Sequence, residues 1–316
     1  WFAECWMLPF LSIWDVRPGG PLPEKRPFQD GLFSGDEFLK LLNLVELSGE
    51  GLLSDREQLR MGKLSIEMKG FRDLVTSADR NSEETLISGI QTLFPEDAIY
   101  SEESGEVRAT GSRRWILDPL DGTTNFAHGH PLFAVSAGLV DSEGPIAAVI
   151  HAPVLRETWW ATRGGGAWVR RVSSSSNDVA APRPLHMATP VDLASSLLAT
   201  GFSYRRREVD HGAVDLFEDL LLKAREIRRG GSACLDLAFT ASGIFAGFWE
   251  FELAPHDVAA GALLVREAGG VVTDGEGGDD WLFGKSIIAS APSLHEELLK
   301  RVAPVTTALK KNSGSS

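Results

Sequence analysis

Apolar residues recur every three or four positions in several stretches of the chain, a spacing typical of amphipathic helices. A first helix is predicted to begin near Ser34, because Ser-Gly-Asp-Glu has the character of a helix start. A second amphipathic stretch follows Leu52, and a third helix is predicted to end at Pro95. The same periodicity predicts further helices over residues 214–225, over residues 233–244, after Pro255 and from Leu294.

Shorter apolar runs lie between these helices and predict β-strands. They include Trp115–Leu117 and residues 98–100, 197–202, 245–251, 271–273 and 286–289. Two hairpins are predicted, the first from residues 133–140 and 145–151 and the second from residues 159–161 and 167–169. The second turns at Gly164–Gly166. Three glycines can also cradle a phosphate, but no Lys-Ser or Lys-Thr pair and no helix follows them, which favours a tight turn.

Composition changes along the chain and predicts its organisation. Residues 1–33 are predicted to be an extension, either a leader or disordered, because residues 17–27 are rich in proline and glycine. The first fourteen residues are too short to cross a bilayer and lack the basic flank of a secretory signal. The polar stretch Ser173–Asp178 is predicted to separate an N-terminal α+β half, residues 34–172, from a C-terminal α/β half, residues 173–309. Residues 310–316 are predicted to be a disordered tail.

The strand Trp115–Leu117 is followed at once by Asp-Pro-Leu-Asp-Gly and then by two threonines. Pro119 fixes its own φ and Gly122 allows backbone geometry that other residues resist, so a rigid turn is predicted after the strand. Asp118 and Asp121 therefore lie at a strand end with little freedom to move. A turn capped by an Asp side chain is the simpler interpretation. The density of carboxylates and hydroxyls favours a metal and phosphate site instead.

Other acidic and small residues occupy similar positions elsewhere. Glu102 and Glu103 follow the predicted strand 98–100, where a contribution to the same site competes with a solvated loop. Gly231–Ala233 open a helix, where backbone N–H groups could bind a hydroxylated or anionic ligand or simply be capped. Asp257 lies in the first turn of a helix, where an acidic residue is commonly a cap.

The net charge of −13 argues against general nucleic-acid binding, which needs a basic surface to displace counterions. An acidic protein that handles phosphates would need metal cations to bridge the two negative partners. Cys5 and Cys234 lie far apart and show neither metal-ligand spacing nor a disulfide framework. A reducing, cytoplasmic location is therefore expected, with an organellar leader in a longer precursor left open.

Several separated motifs occur together in one order: Ser-Glu-Glu-Ser-Gly at 101–105, Asp-Pro-Leu-Asp-Gly-Thr-Thr-Asn-Phe at 118–126, Asp-Val-Ala-Ala-Gly at 257–261 and Glu-Ala-Gly-Gly at 267–270. In this respect the chain resembles the inositol monophosphatase family over residues 36–303. The resemblance implies a layered α/β fold, the αβαβα sandwich of the inositol monophosphatase and fructose-1,6-bisphosphatase type. It also implies a magnesium-dependent, lithium-sensitive phosphatase that is usually a homodimer.

The resemblance implies metal ligands at matching positions. One Mg²⁺ would be held by Glu102, Asp118 and the main-chain carbonyl of Leu120. A second would be held by Asp118, Asp121 and Asp257. Asp79, together with Glu102, matches the position of a third and weaker Mg²⁺. Carboxylate and carbonyl oxygens are the ligands that magnesium prefers.

The resemblance also assigns catalytic and substrate-binding residues. Glu103 and Thr123 match the pair that activates the attacking water, and Asp121 is a third catalytic residue. Backbone N–H groups of Gly122 and Thr123 would bind the phosphate. The alcohol half of a small phosphate monoester would be held by Gly231, Ser232, Ala233, Glu250 and Asp257.

The chain departs from the family pattern at a few positions, and alternatives follow. His256 stands where the family commonly has Trp, and it is interpreted as a packing residue or as a residue that supports the metal ligands, rather than as a ligand itself. His128 and His130 are expected to be loop residues, and the loop around Lys69 is shorter than expected. Alternative substrates on this fold are fructose 1,6-bisphosphate, histidinol phosphate and 3'-phosphoadenosine 5'-phosphate. A catalytically inactive binding or scaffold protein is the alternative from another functional class.

Overall fold

The computed structural model describes residues 33–63, 66–68, 74–108, 110–172, 181–204 and 212–313. Among these, no helix combines the length and hydrophobicity needed to cross a bilayer. The helices are α1 (Gly35–Arg60), α2 (Ser77–Leu93), α3 (Thr123–Ala127), α4 (Ala213–Leu221), α5 (Ala233–Ala241), α6 (Pro255–Glu267) and α7 (Pro292–Ser313). A 3₁₀ turn lies at Leu193–Ser195.

The strands form two large sheets and one small ribbon. The ribbon pairs β1 (Ile66–Met68) with β2 (Leu74–Thr76). The first sheet has the order β10-β9-β8-β7-β6-β5-β3-β4 and the second the order β12-β11-β13-β15-β14. The strands of the first sheet are β3 (Ala98–Ser101), β4 (Gly105–Arg108), β5 (Arg114–Asp121), β6 (Ala134–Asp141), β7 (Gly144–Ala152), β8 (Glu157–Thr162), β9 (Gly166–Arg171) and β10 (Arg183–Pro184). Those of the second are β11 (Leu197–Thr200), β12 (Glu226–Arg228), β13 (Gly247–Phe251), β14 (Val271–Thr273) and β15 (Ser286–Ser290).

Helices and sheets alternate in five layers. Helices α1 and α2 pack on one face of the first sheet around a core that includes Trp115. Helices α5 and α6 fill the space between the two sheets, and α4 and α7 cover the outer face of the second sheet. Close packing in the middle layer depends on Gly138 of β6, where a Cβ atom would lie 3.0 Å from the backbone nitrogen of Ala260. This arrangement is the predicted αβαβα sandwich.

The first helix begins where the capping residues predicted it. The Ser34 hydroxyl accepts from the Glu37 N–H, and the Glu37 carboxylate accepts from the Ser34 N–H. The apolar positions that predicted the helix are buried, namely Phe38, Leu41, Leu42 and Val45. The second stretch after Leu52 is not a separate helix. Since no residue between Val45 and Leu52 interrupts helical backbone, both belong to α1.

The strand that precedes the acidic turn is longer than Trp115–Leu117 and includes both aspartates. Asp118 lies opposite Ser136 of β6, whereas Asp121 lies opposite Ala134, so β5 carries one extra residue as a bulge. Pro119 lies in this bulge, where its missing N–H removes no regular ladder bond. The prediction that the strand stops before Asp118 was therefore wrong. The rigid geometry expected there comes from a bulge inside the strand.

Helix α7 extends further than predicted. Residues 310–313 belong to α7 rather than to a disordered tail. Leu309 is buried against the second sheet, and the Lys310 ammonium lies 2.7 Å from the Glu276 carboxylate. These contacts hold the last turns of the helix in place. Residues 314–316 lie outside the described part of the chain.

Helix α6 is tied to the first sheet at its C-terminal end. The Glu267 carboxylate accepts from the N–H groups of Gly164 and Gly166, each at 2.8 Å. The three glycines therefore form a tight turn, as predicted. The N–H groups of Gly164 and Gly166 bind a carboxylate of the protein itself. We call this contact the Glu267 clamp.

The structure does not test the predicted division of the chain into two halves. The boundary stretch Ser173–Asp178 and nearly all of the predicted extension lie outside the described residues. Beyond that boundary, Arg183–Pro184 pairs with β9 and so adds a strand to the first sheet. The division near residue 173 remains a prediction.

Candidate metal centre

The acidic residues of two neighbouring strands lie at one edge of the first sheet. Strands β3 and β5 are parallel, and Ser101 lies opposite Leu117. Their carboxyl ends therefore meet at the same edge, where Glu102 follows β3 and Asp118 lies beside it. The Glu102 N–H donates to the Leu117 carbonyl at 3.2 Å, which continues the pairing by one residue.

Helix α6 brings a third acidic residue to this edge from the far side. Asp257 lies in its first turn, where its carboxylate accepts from the Ala254 N–H at 2.6 Å. Carboxylate oxygens of Asp118, Asp121 and Asp257 lie within 4.8 Å of one another. A second group within the same limit joins Glu102, Asp118 and a ring nitrogen of His256. Asp118 belongs to both groups and is the centre of the cluster.

Burial and mutual repulsion make this cluster electrostatically unfavourable without a cation. Asp118 is only 2% exposed. Its burial raises its pKa well above the usual range, and the charges of Glu102 and Asp121 raise it further. Burial also raises the pKa of Asp257, with a further contribution from Asp121. A divalent cation would compensate these charges, and the oxygen-rich donor set fits a hard cation such as Mg²⁺.

Asp121 also connects strand β5 to the start of helix α5. Its Oδ2 accepts from the Ser232 hydroxyl at 2.7 Å and from the Cys234 N–H at 2.8 Å. Ser232 is the N-cap of α5, so the helix start is capped by a carboxylate from β5 rather than by its own side chain. Gly231, Ser232 and Ala233 therefore lie directly beside the acidic cluster.

Gly122 and Thr123 follow the bulge. Gly122 has φ 90°, and a Cβ atom there would lie 3.0 Å from the Leu132 carbonyl oxygen, so a side chain is excluded on two grounds. The Thr123 hydroxyl lies 3.2 Å from Oδ1 of Asp79 and 3.1 Å from the Leu120 carbonyl oxygen. Asp79 is fully buried in the first turn of α2. Thr123 thus connects the Asp79 position with the Leu120 carbonyl.

Glu250 lies on β13, near Asp257 and Asp236. Burial raises the pKa of its carboxyl group well above the usual range, and Asp257 and Asp236 raise it further. Asp236 is itself 2% exposed, and burial also raises its pKa well above the usual range. Gly201 leaves the space that the Glu250 carboxylate occupies, since a Cβ atom there would overlap it. Asp236 was not among the predicted site residues.

The histidines occupy two kinds of position. His128 and His130 follow α3 in a turn, as expected, and neither belongs to a group of potential metal ligands among the described residues. His256 stacks on Tyr100, with ring centroids 6.5 Å apart and planes 18° apart. The stacking agrees with the predicted packing role, but the ring also places a nitrogen beside Glu102 and Asp118. The loop around Lys69 lies outside the described residues.

Two polar residues of α2 support the cluster and were missed by sequence reasoning. The Ser82 hydroxyl donates to the Pro119 carbonyl at 2.6 Å. The Glu83 carboxylate accepts from the N–H groups of Glu103 and Ser104 and from the Ser104 hydroxyl. Isolated polar residues on an amphipathic helix look like its solvated face. Only their burial, 3% and 5% exposed, distinguishes them.

For the phosphatase activity that the family resemblance implies, replacement of Glu83 by alanine is expected to lower kcat/KM by roughly 10²-fold, because the segment that carries Glu102 and Glu103 loses its anchor. The measurement is steady-state phosphate release, with circular dichroism to confirm folding. The Glu83→Gln variant retains an acceptor and is expected to recover most of the activity. Glu84 is exposed on the same helix, so Glu84→Ala is the matched control and should leave the rate unchanged. An effect of equal size in both alanine variants would contradict the assignment.

Known proteins resemble this chain in sequence and structure. A "Putative Nus factor SuhB" of Neisseria meningitidis serogroup B is 37% identical over 254 residues, covering 80% of this chain and 93% of the relative. An "Inositol-1-monophosphatase" of Mesorhizobium japonicum is 39% identical over 240 residues, covering 76% of this chain and 86% of the relative. The solved structure of an IMPase of Thermotoga maritima matches with a TM-score of 0.73 and 32% identity, covering 87% of this chain and 99% of that one.

The family model described as the inositol monophosphatase family matches residues 43–307. That range contains both groups of potential metal ligands and all five layers of the sandwich. The alignments with these two relatives cover most of each relative's length, so the similarity extends over the whole fold and is not confined to one motif. This chain belongs to the inositol monophosphatase family.

Proposed function

We propose that the protein is a magnesium-dependent phosphatase that hydrolyses a phosphate monoester of inositol or of a related polyol or sugar. The observation that carries this proposal is the cluster of Asp118, Asp121 and Asp257, whose oxygens lie within 4.8 Å of one another, with Asp118 and Asp121 buried and Asp257 partly buried. Buried carboxylates so close together repel one another unless cations neutralise them. A cationic centre at this point can bind the dianionic phosphate of a monoester.

The residues of the cluster divide into two cation-binding sets. Asp118, Asp121 and Asp257 would hold one Mg²⁺, and Glu102, Asp118 and the Leu120 carbonyl a second, with Asp79 near a third position. When bound, such cations act as Lewis acids that stabilise charge on the phosphoryl, attacking and leaving oxygens. Asp118 is shared by both sets and therefore fixes their relative position.

Glu103 is the proposed general base, and Thr123 orients the attacking water. The single proton of the Thr123 hydroxyl can be donated to Asp79 or to the Leu120 carbonyl, and the lone pairs of the hydroxyl oxygen remain available to accept from water. Glu103 then takes the proton as water attacks phosphorus. The segment of Glu103 is held by the Glu83 carboxylate, which limits its movement. N–H groups of Gly122 and Thr123 would bind phosphoryl oxygens.

The alcohol half of the substrate would lie between α5 and β13. Gly231, Ser232 and Ala233 offer backbone groups beside Asp121. Glu250 offers a buried carboxyl whose raised pKa lets it donate to, or accept from, a hydroxyl group. A polyol or sugar supplies hydroxyl groups of both kinds, which supports this substrate class. Inhibition by Li⁺, a homodimeric assembly and a cytoplasmic location are further parts of the proposal, supported by family membership.

Phosphate release from a panel of monoesters tests the proposal. The panel contains inositol 1-phosphate, fructose 1,6-bisphosphate, histidinol phosphate and 3'-phosphoadenosine 5'-phosphate, each with Mg²⁺, with chelator and with Mg²⁺ plus Li⁺. We expect Mg²⁺-dependent release, fastest with inositol phosphate and suppressed by Li⁺. Preference for another ester would change the substrate and retain the reaction. Absence of turnover on every ester with Mg²⁺ present would favour a binding or scaffold role.

A further inference from the structure

The side chain of His256 faces the same acidic residues as the proposed metal site. It precedes Asp257 in the first turn of α6, so the two neighbouring side chains reach different parts of the cluster. Asp257 lies with Asp118 and Asp121, whereas a ring nitrogen of His256 lies within 4.8 Å of oxygens of Glu102 and Asp118. Two carboxylates and one imidazole therefore converge on one point.

The imidazole ring of His256 is oriented by a stacking contact, and one of its nitrogens has no hydrogen-bond partner among the described residues. Its ring stacks on Tyr100 of β3, and Glu102 follows that strand two residues after Tyr100. Its Nδ1 is buried and makes no hydrogen bond within the described part of the chain. A buried ring nitrogen without a partner is costly, since a lost hydrogen bond is not replaced by water. A packing role explains the stacking but leaves this nitrogen unexplained.

We propose that His256 is a nitrogen ligand of a divalent cation held together with Glu102 and Asp118, and that it gives this position a preference for Co²⁺ or Zn²⁺ over Mg²⁺. Magnesium demands oxygen ligands in near-octahedral geometry, whereas imidazole suits the later transition metals. The Asp118–Asp121–Asp257 set has only oxygen donors and keeps its preference for Mg²⁺. The two positions thus differ in metal selectivity. The inference rests on the proposed metal site, but cation binding is measured without substrate.

Pulsed EPR of Mn²⁺ bound to the metal-free full-length protein tests the nitrogen directly. Mn²⁺ serves as the probe, and a coupled ¹⁴N nucleus is expected in the wild-type spectrum. His256→Phe keeps an aromatic ring to stack on Tyr100 but has no nitrogen, so the coupling should disappear. His128 lies in the turn after α3, so His128→Ala is the control and should retain the coupling.

Calorimetric titration with Co²⁺ and Mg²⁺ tests selectivity. Loss of an outer-shell partner of a metal ligand lowers affinity 10–100-fold, so loss of the ligand itself should weaken Co²⁺ binding at least about tenfold. Mg²⁺ affinity should stay within about twofold, because its oxygen ligands remain. His256→Asn offers an oxygen donor of similar size and is expected to bind both cations with the preference for Co²⁺ lost.

Two results would overturn the proposal. One is a wild-type spectrum without nitrogen coupling, which would show that His256 does not coordinate the cation. The other is nitrogen coupling and Co²⁺ affinity that persist in both His256→Phe and His256→Asn. Because neither readout uses turnover, a protein that binds Co²⁺ through His256 but hydrolyses no ester would refute the proposed function and leave this inference intact.

Discussion

Replacement of Asp118 by asparagine is expected to lower the rate of phosphate release by at least about 10³-fold. Asp118 is the residue common to both groups of potential ligands, so its loss affects both cation positions. Metal ions stabilise the charge of such a transition state by several kcal/mol, and each 1.36 kcal/mol corresponds to a factor of ten. The measurement is kcat at saturating Mg²⁺ with the ester that the wild type prefers.

The fold is expected to survive this substitution. Asparagine keeps the Oδ1 acceptor, to which the Leu120 N–H donates at 3.0 Å. It also removes a charge from the repulsive cluster that raises the pKa of Asp118. With chelator present, the variant's Tm should therefore equal or exceed that of the wild type. Added Mg²⁺ should raise the Tm of the wild type but not that of the variant. Normal turnover in Asp118→Asn would show that the metal assignment is wrong.

Replacement of Glu103 by glutamine is expected to lower kcat by about 10²–10⁴-fold, the range that a general base contributes. Glutamine has nearly the same size but does not accept the proton of the attacking water. The backbone contact of residue 103 with Glu83 does not involve the substituted side chain, so its position should be retained. The measurement is again kcat at saturating Mg²⁺ with the ester that the wild type prefers.

Binding of Mg²⁺ separates this effect from that of Asp118→Asn. Glu103→Gln should retain the Mg²⁺-dependent increase in Tm, because Glu103 belongs to neither group of ligands found among the described residues. A variant that loses both activity and the Mg²⁺ response would place Glu103 among the metal ligands. A variant with activity within tenfold of the wild type would exclude it as the base.

The fold could be predicted from the chain wherever local pattern decides the structure. Phe38, Leu41 and Leu42 share one face of a helix, and all three are at most 1% exposed. The hairpin at Gly164–Gly166 follows from glycines between two apolar runs. The local sequence pattern does not predict the structure where contacts between residues far apart in the chain determine it. Lys310 looks like part of a polar tail, but the burial of Leu309 and the ion pair with Glu276, remote in sequence, hold this end of the helix.

The site shows the same limit. The family resemblance implied which carboxylates belong together, and the structure places Asp118, Asp121 and Asp257 within reach of one cation. The bulge at Pro119 could not be predicted, because a strand register depends on the partner strand. Glu83 was missed because its role depends on a backbone segment that only the folded chain brings near it. The candidate metal ligands could be recognised from their residue types, whereas the residues that hold those ligands in position could not.

Helix α6 has a consequence for how the protein folds and unfolds. The helix carries Asp257 at its beginning and the Glu267 clamp at its end, and both contacts reach strands far away in the chain. Such distant pairings form late, since long loops must close before they contribute. A cation held by Asp118, Asp121 and Asp257 would therefore bind only after this helix has docked, and it would stabilise the native state without helping to form it. Mg²⁺ would thus prolong the lifetime of the folded protein while leaving its rate of folding unchanged.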